Sequence, residues 1–212
     1  VRQVADNGTQ SVVVEYTIPL VRYNSVEANS QTWQYLNIPG FSKLADAGKP
    51  ALPAHCDFIA LPDHSKATIT ILEATYKEYQ GFNIHPALQP ASDSQGAGEP
   101  PFEIDDKLYQ TDAFFPAQTV EITELQKLRG TMLALVQVAP VTFNPVTGII
   151  RVYSTIRYRI DFNGTGKTFE RIGLESSQRF TKQLKKTVLN HQSIPQGIPN
   201  TPISPSRADY II

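Results

Sequence analysis

The chain has 212 residues, of which 41% are hydrophobic and 18% charged, and its net charge is −1. That composition excludes a disordered chain and supplies enough apolar sequence to bury a core. The near-neutral balance offers nothing to nucleic acid or an anionic membrane, and no run approaches the roughly 18 apolar residues of a membrane-spanning helix.

Sixteen prolines and twelve glycines favour short strands and turns over helices. The opening VRQVADNGTQ lacks an apolar core, so any signal peptide is expected to have been removed already. From Ser11 to Ile18, Val12, Val14, Tyr16 and Ile18 alternate with polar residues, the two-residue period of a half-buried strand. Thr32 to Ile38 repeats that pattern around Trp33 and Tyr35, and Pro39-Gly40 stops it. Gly48-Lys49-Pro50-Ala51-Leu52-Pro53 reads as a stiff extended turn. Ala54 to Leu61 and Lys66 to Tyr76 read as two strands joined through Pro62-Asp63-His64-Ser65.

Between Pro86 and Pro116 the periodicity stops. This stretch holds Pro90, Pro100 and Pro101 and the small-residue run Gly96-Ala97-Gly98, with Phe82, Phe102, Phe114 and Phe115 around it. Connections usually take about four to six residues, so a far longer one is expected to be functional. The flanking aromatics suggest a loop pinned at its ends and presented outward.

Strands resume at Thr119 to Leu128. Met132 to Val138 is almost continuously apolar, as in a strand covered on both faces. Val141 to Phe143, the turn Asn144-Pro145-Val146-Thr147-Gly148 and the strand Ile149 to Phe162 form a hairpin. Ile150, Val152, Ile156, Tyr158, Ile160 and Phe162 are expected on one face, with Arg151, Tyr153, Arg157 and Arg159 on the other. A single helix follows over 176–192, capped by Ser176 or Ser177, with Phe180, Leu184 and Val188 on one face. Residues 193–207 are a proline-rich linker. Residues 208–212, Ala208-Asp209-Tyr210-Ile211-Ile212, look like the first strand of a following domain. The expected fold is all-β: an antiparallel β-sandwich over 1–175 carrying the long loop 86–116, with one C-terminal helix.

Catalytic chemistry is not legible. His55, His64, His85 and His191 are scattered without metal-ligand spacing, so neither a metal nor a cofactor is expected. His55 and Cys56 point to opposite faces of a strand and cannot form a nucleophile pair; Cys56 is expected as a small buried residue. Asp105-Asp106 and the pair Glu121 and Glu124 read as solvated carboxylates. Arg151, Arg157 and Arg159 could hold an anion, but a solvated face paired with acids is the plainer reading. Asn7-Gly8-Thr9 and Asn163-Gly164-Thr165 match the glycosylation sequon and equally suit turns.

Several short motifs in fixed order resemble the N-terminal propeptide of gingipain-type cysteine peptidases, peptidase family C25. They are Gly48-Lys49-Pro50-Ala51-Leu52-Pro53, Pro101-Phe102 ahead of Tyr109, Phe114-Phe115-Pro116, Arg129-Gly130, Phe143-Asn144-Pro145-Val146-Thr147 and Arg151-Val152-Tyr153. The resemblance runs from about residue 40 to Arg207-Ala208-Asp209-Tyr210-Ile211-Ile212, which is similar to a propeptide junction.

The resemblance implies a non-catalytic β-sandwich that helps a cysteine-protease domain in cis to fold and keeps it latent. It also implies export through the periplasm to the cell surface or beyond, with type IX secretion machinery as a further partner. In the family a loop residue fills the specificity pocket like a substrate, in a pattern of Ser, basic, small, about eight positions before a Pro-aromatic pair. That pattern falls here on Ser92-Asp93-Ser94, with a carboxylate where the family has Lys or Arg. Either the cognate subsite accepts another side chain, or this loop does not inhibit by mimicry, or Asp93 is an ordinary loop acid. Arg207-Ala208 is the implied processing site. The alternative is a non-inhibitory β-sandwich binding, adhesion or secretion-scaffold module, which predicts an exposed aromatic platform from Trp33, Tyr35, Tyr76 and Tyr79; core packing is the competing role for all four.

Overall fold

The computed structural model describes residues 2–44, 46–89, 102–128, 131–166, 168–169 and 178–194. Alternating burial builds two antiparallel sheets. In the first, β2 (Ser11–Thr17) and β7 (Ser65–Tyr79) flank the long β11 (Ile149–Gly164). Strand β1 (Arg2–Asp6) pairs with β2, and β10 (Val141–Asn144) pairs with the start of β11. The second sheet runs β5 (Ser42–Lys43), β6 (Pro53–Leu61), β9 (Thr131–Val138) and β8 (Val120–Leu128). The inward residues of both sheets, among them Val12, Val14, Ile59, Val136, Ile156, Tyr158 and Ile160, form one continuous core. An antiparallel β-sandwich is therefore the fold, as the alternation required.

One charged group crosses that core. Asp57 of β6 is 5% exposed and takes hydrogen bonds from the Arg2 guanidinium and the Tyr16 hydroxyl, with His55 Nε2 3.4 Å away. Burial pushes the Asp57 carboxyl upward, and Arg2 acts against that shift. The cluster ties β1 and β2 to β6 and closes this side of the sandwich.

Helix α2 (Gln178–Thr187) lies over the outer face of the second sheet. Leu184, Val188, Ile194 and Phe169 bury Ala60 and Leu133 there, which explains the nearly unbroken apolar run of β9. The helix stops at Thr187, short of the expected 192, because the chain turns to run beside β6. Leu189 N–H donates to Phe58 O (2.9 Å), and the buried Asn190 amide bonds both the N–H and the C=O of Ala60 (2.8 and 2.9 Å). A side-chain amide thus supplies what a neighbouring strand would give.

Four expectations need correction. A further hairpin, β3 (Arg22–Ala28) with β4 (Gln31–Asn37), turns through Asn29 and Ser30 at φ 49° and 60°, the geometry of a two-residue hairpin turn. Asp105 is not a free solvated acid: its carboxylate accepts from Leu108 N–H and caps a short helix α1 (Asp106–Tyr109), so the loop's second half is ordered. Tyr153 is buried, because the register with β7 shifts at Ser154 and breaks the simple alternation. Cys56 is exposed, on the face of β6 opposite the buried Asp57. Arg151, Arg157 and Arg159 each face a carboxylate, Glu78, Glu15 and Asp161 respectively, so they form no open anion site.

Candidate functional site

The candidate site is the stem from which residues 90–101 depart. Its incoming limb, Asn83 to Ala87, is held on both sides by backbone. On one side Gln34 N–H donates to Asn83 O (2.8 Å) and His85 N–H to Gln34 O (3.0 Å). On the other, Ala51 N–H donates to His85 O (2.9 Å), Ala87 N–H to Lys49 O (2.7 Å) and Gly48 N–H to Ala87 O (2.9 Å). The Gly48-to-Pro53 motif is therefore a strand-like brace for the loop.

The outgoing limb uses the same brace. Asp105 N–H donates to Gly48 O (2.9 Å), so Gly48 bonds both limbs. Its φ is +80°, and a Cβ there would lie 3.1 Å from the Asp105 nitrogen. Both facts favour glycine. Closer to the departure point, Gln89 Nε2 donates to Glu103 Oε2 (2.9 Å), which brings the two limbs together.

Aromatic packing fills the space beneath. Trp33, 3% exposed, meets Phe102, His85 and Tyr109 edge-on at ring distances of 5.3, 6.0 and 6.1 Å. Tyr35 stacks on His85 at 4.4 Å, and the Lys43 ammonium lies 4.4 Å from the Tyr35 ring. The Tyr109 hydroxyl donates to Ile84 O (2.7 Å), and burial pushes its pKa upward. Farther along, Phe115 and Phe143 exchange backbone hydrogen bonds (both 2.8 Å), and Asn144 Nδ2 donates to Asp112 Oδ1 (2.7 Å), docking the outgoing limb on β10.

His85 is the titratable centre of this packing. Its buried Nδ1 lies 2.6 Å from Pro86 O, which fixes Nδ1–H as the donor, and burial lowers its pKa. No group of three His, Cys, Asp or Glu residues among the described residues is arranged to hold a metal ion.

Ser92, Asp93 and Ser94 belong to the segment this stem carries and lie outside the described residues, as do Arg207 and Ala208. Of the four residues considered for an aromatic platform, Trp33 is core and Tyr35 is half-buried under the stem; Tyr76 and Tyr79 are exposed on β7. Sequence reasoning found the pinning aromatic Phe102 but missed His85, Gln89 and Glu103. An apolar-polar pattern says nothing about a histidine packed among rings or a single amide–carboxylate bond.

Residues 2–194 match the family model Propeptide_C25. Among curated relatives, the chain is 21% identical over 164 residues to Lys-gingipain HG66 of Porphyromonas gingivalis, covering 75% of this chain and 10% of that protein. It is 22% identical over 146 residues to gingipain R2 of Porphyromonas gingivalis strain ATCC 33277, covering 68% of this chain and 19% of that protein. The chain thus spans a tenth to a fifth of the length of these relatives. In fold it is similar to a solved complex of Porphyromonas gingivalis RgpB pro- and mature domains, with TM-score 0.75, 18% identity, and 90% of this chain and 97% of that one covered. A structure addressing the zymogenic latency of gingipain K from Porphyromonas gingivalis also matches, with TM-score 0.67, 22% identity, and coverage of 78% and 93%.

Proposed function

The chain belongs to the Propeptide_C25 family, a non-catalytic propeptide domain, and from that premise we propose that it is the latency cap and folding aid of a gingipain-like cysteine-protease domain following it in the same polypeptide. The observation that carries this reading is the double-braced stem. Two limbs joined by Gln89 and Glu103, both bonded to Gly48 and packed on Trp33, exist to present the twelve residues between them. A stem fixed beforehand reduces the ordering cost when its loop enters a partner's cleft.

In this reading residues 90–101 occupy the protease's substrate cleft and Asp93, between Ser92 and Ser94, faces the specificity pocket. The carboxylate there points to a subsite that accepts an acid. The sandwich ends by 175; of the linker expected over 193–207, Ser193 bonds Asp6 and Ile194 is buried against Ala60, so the tether is 195–207, and 208–212 begin the protease domain. The tether keeps the loop at a high effective concentration. Cleavage at Arg207–Ala208 removes that advantage and lets the cap leave. The whole precursor acts outside the cytoplasm, reached through the periplasm with the aid of secretion machinery.

The test is inhibition of the separately expressed protease domain by this chain and by Asp93→Ala. Inhibition weakened at least tenfold, about 1.4 kcal/mol, supports the pocket-filling role. Unchanged inhibition removes Asp93 from that role while keeping the cap, and absence of inhibition by the unaltered chain overturns the cap.

A further inference from the structure

The two long sides of the sandwich are unlike. On one, β1 is short and is fastened to β6 through Arg2 and Asp57. On the other, β7 and β8 lie next to each other as the outer strands of their sheets, each hydrogen-bonded to a single neighbouring strand among the described residues. Eleven large apolar side chains are exposed among the described residues, and six of them lie on this side: Ile71, Leu72, Tyr76 and Tyr79 of β7, and Leu125 and Leu128 of β8. The opposite edge strand β1 carries one, Val4.

Edge strands of monomeric proteins are usually short, charged or bulged, because an unpaired apolar edge recruits other chains. Strand β7 runs for fifteen residues, and where its register with β11 shifts, the residue left unpaired is Leu72, 43% exposed. A bulge that carries leucine outward does not blunt the edge. It adds an apolar knob to it.

The chain itself indicates what covers this side. The described structure ends at Ile194, which packs against Ala60 at the far end of β6. The loop stem lies at the other end, where Ala51 bonds His85 just before β6 begins. Nine residues of extended strand separate the two points by about 30 Å. Strand β7 covers the same interval, starting near Asp63 and Thr168 and finishing three residues before Phe82. The thirteen residues 195–207 reach up to about 43 Å when extended. That reach exceeds the distance between the two points, so a domain entered by the loop at one end of the sandwich can lie along its length while tethered from the other, and β7 with β8 is the apolar side exposed to it.

We propose that the open side formed by β7 and β8 is the docking surface for the catalytic domain that follows in the chain, through an apolar strip centred on Ile71, Leu72 and Leu125 and through the free backbone edge of β7. This assignment rests on the latency reading, and it adds a contact independent of residues 90–101. Cap affinity is then divided between the loop and the side of the sandwich, so the domain stays bound when the loop is altered.

The test has two parts, both with the separately expressed protease domain. Calorimetry compares the unaltered chain, the double variant Leu72→Arg with Leu125→Arg, and the control Val4→Arg on the closed side. The double variant is expected to bind at least tenfold more weakly with the control unchanged. Hydrogen exchange on the unaltered chain guards against misfolding of the variant. In the complex, the β7 amides that point away from β11 are expected to exchange at least tenfold more slowly. A bound complex in which those amides stay unprotected overturns this docking surface and leaves the latency reading intact. Failure of the unaltered chain to bind overturns both.

Discussion

Phe102 is the first described side chain after the presented segment, and Phe102→Ala tests whether the stem is an independently held unit. The ring makes edge-on contacts with Trp33 at 5.3 Å and His85 at 5.1 Å, each worth about 0.5–1.5 kcal/mol. It is only half-buried, so the loss is about half the ~3–5 kcal/mol of a fully buried Phe→Ala change, or about 2 kcal/mol. Opening the stem breaks the bonds of Ala87 N–H to Lys49 O and of Asp105 N–H to Gly48 O but leaves the two sheets paired. A local loss of about 2 kcal/mol therefore accelerates exchange of those two amides by roughly 30-fold. Amides in β2, β9 and β11 should keep their rates while exchange there follows smaller openings. Native-state hydrogen exchange resolved by residue is the assay. Equal acceleration across the sheets, or none at Ala87 and Asp105, refutes the picture of a separately braced stem.

The remaining predictions follow from single contacts. Gly48→Ala should cost about 1–2 kcal/mol through its left-handed backbone, and more through the close Asp105 nitrogen; Gly40→Ala, at φ +82° with open space around it, should cost only the backbone part. Thermal unfolding of the pair isolates the brace contact. Asn190→Ala should destabilise by about 3 kcal/mol, since both backbone groups of Ala60 lose their buried partner; the denaturant midpoint reads this directly. Burial lowers the pKa of both His55 and His85, so the folded state binds fewer protons than the unfolded chain. Their contribution is complete above pH about 6.5 and is lost as pH falls below it. The melting temperature should accordingly drop between pH 7.5 and 5, and His85→Gln should lessen that drop.

The parts of the fold legible in the sequence are those where a buried face alternates regularly. Strands β2 and β11 carry inward valines, isoleucines and tyrosines at two-residue spacing and β9 a nearly continuous apolar run, and their positions follow from those patterns. Strand β3 was not legible, because most of Arg22–Ala28 is exposed and only its pairing with β4 holds it. Tyr153 departs from the expected alternation because a register shift leaves no mark on composition. Of the site, the prolines and phenylalanines around 86–116 announced a pinned loop, and Phe102 does pin it. The rest of the clamp was hidden. Gly48 looked like an ordinary turn residue, and the Gln89–Glu103 bond joins residues that only the closed stem brings together. The Asp105 carboxylate reads as solvated in the sequence because a four-residue helix is too short to leave a periodic signal.

The most direct measurement compares two forms of this chain as inhibitors of the downstream protease domain: the unaltered sequence and one with residues 90–101 replaced by a glycine-serine segment of equal length. The account predicts strong inhibition by the first, with the second still bound through the side of the sandwich but no longer blocking substrate. Equal inhibition by both forms would contradict the central claim that the stem exists to place this loop in the protease cleft.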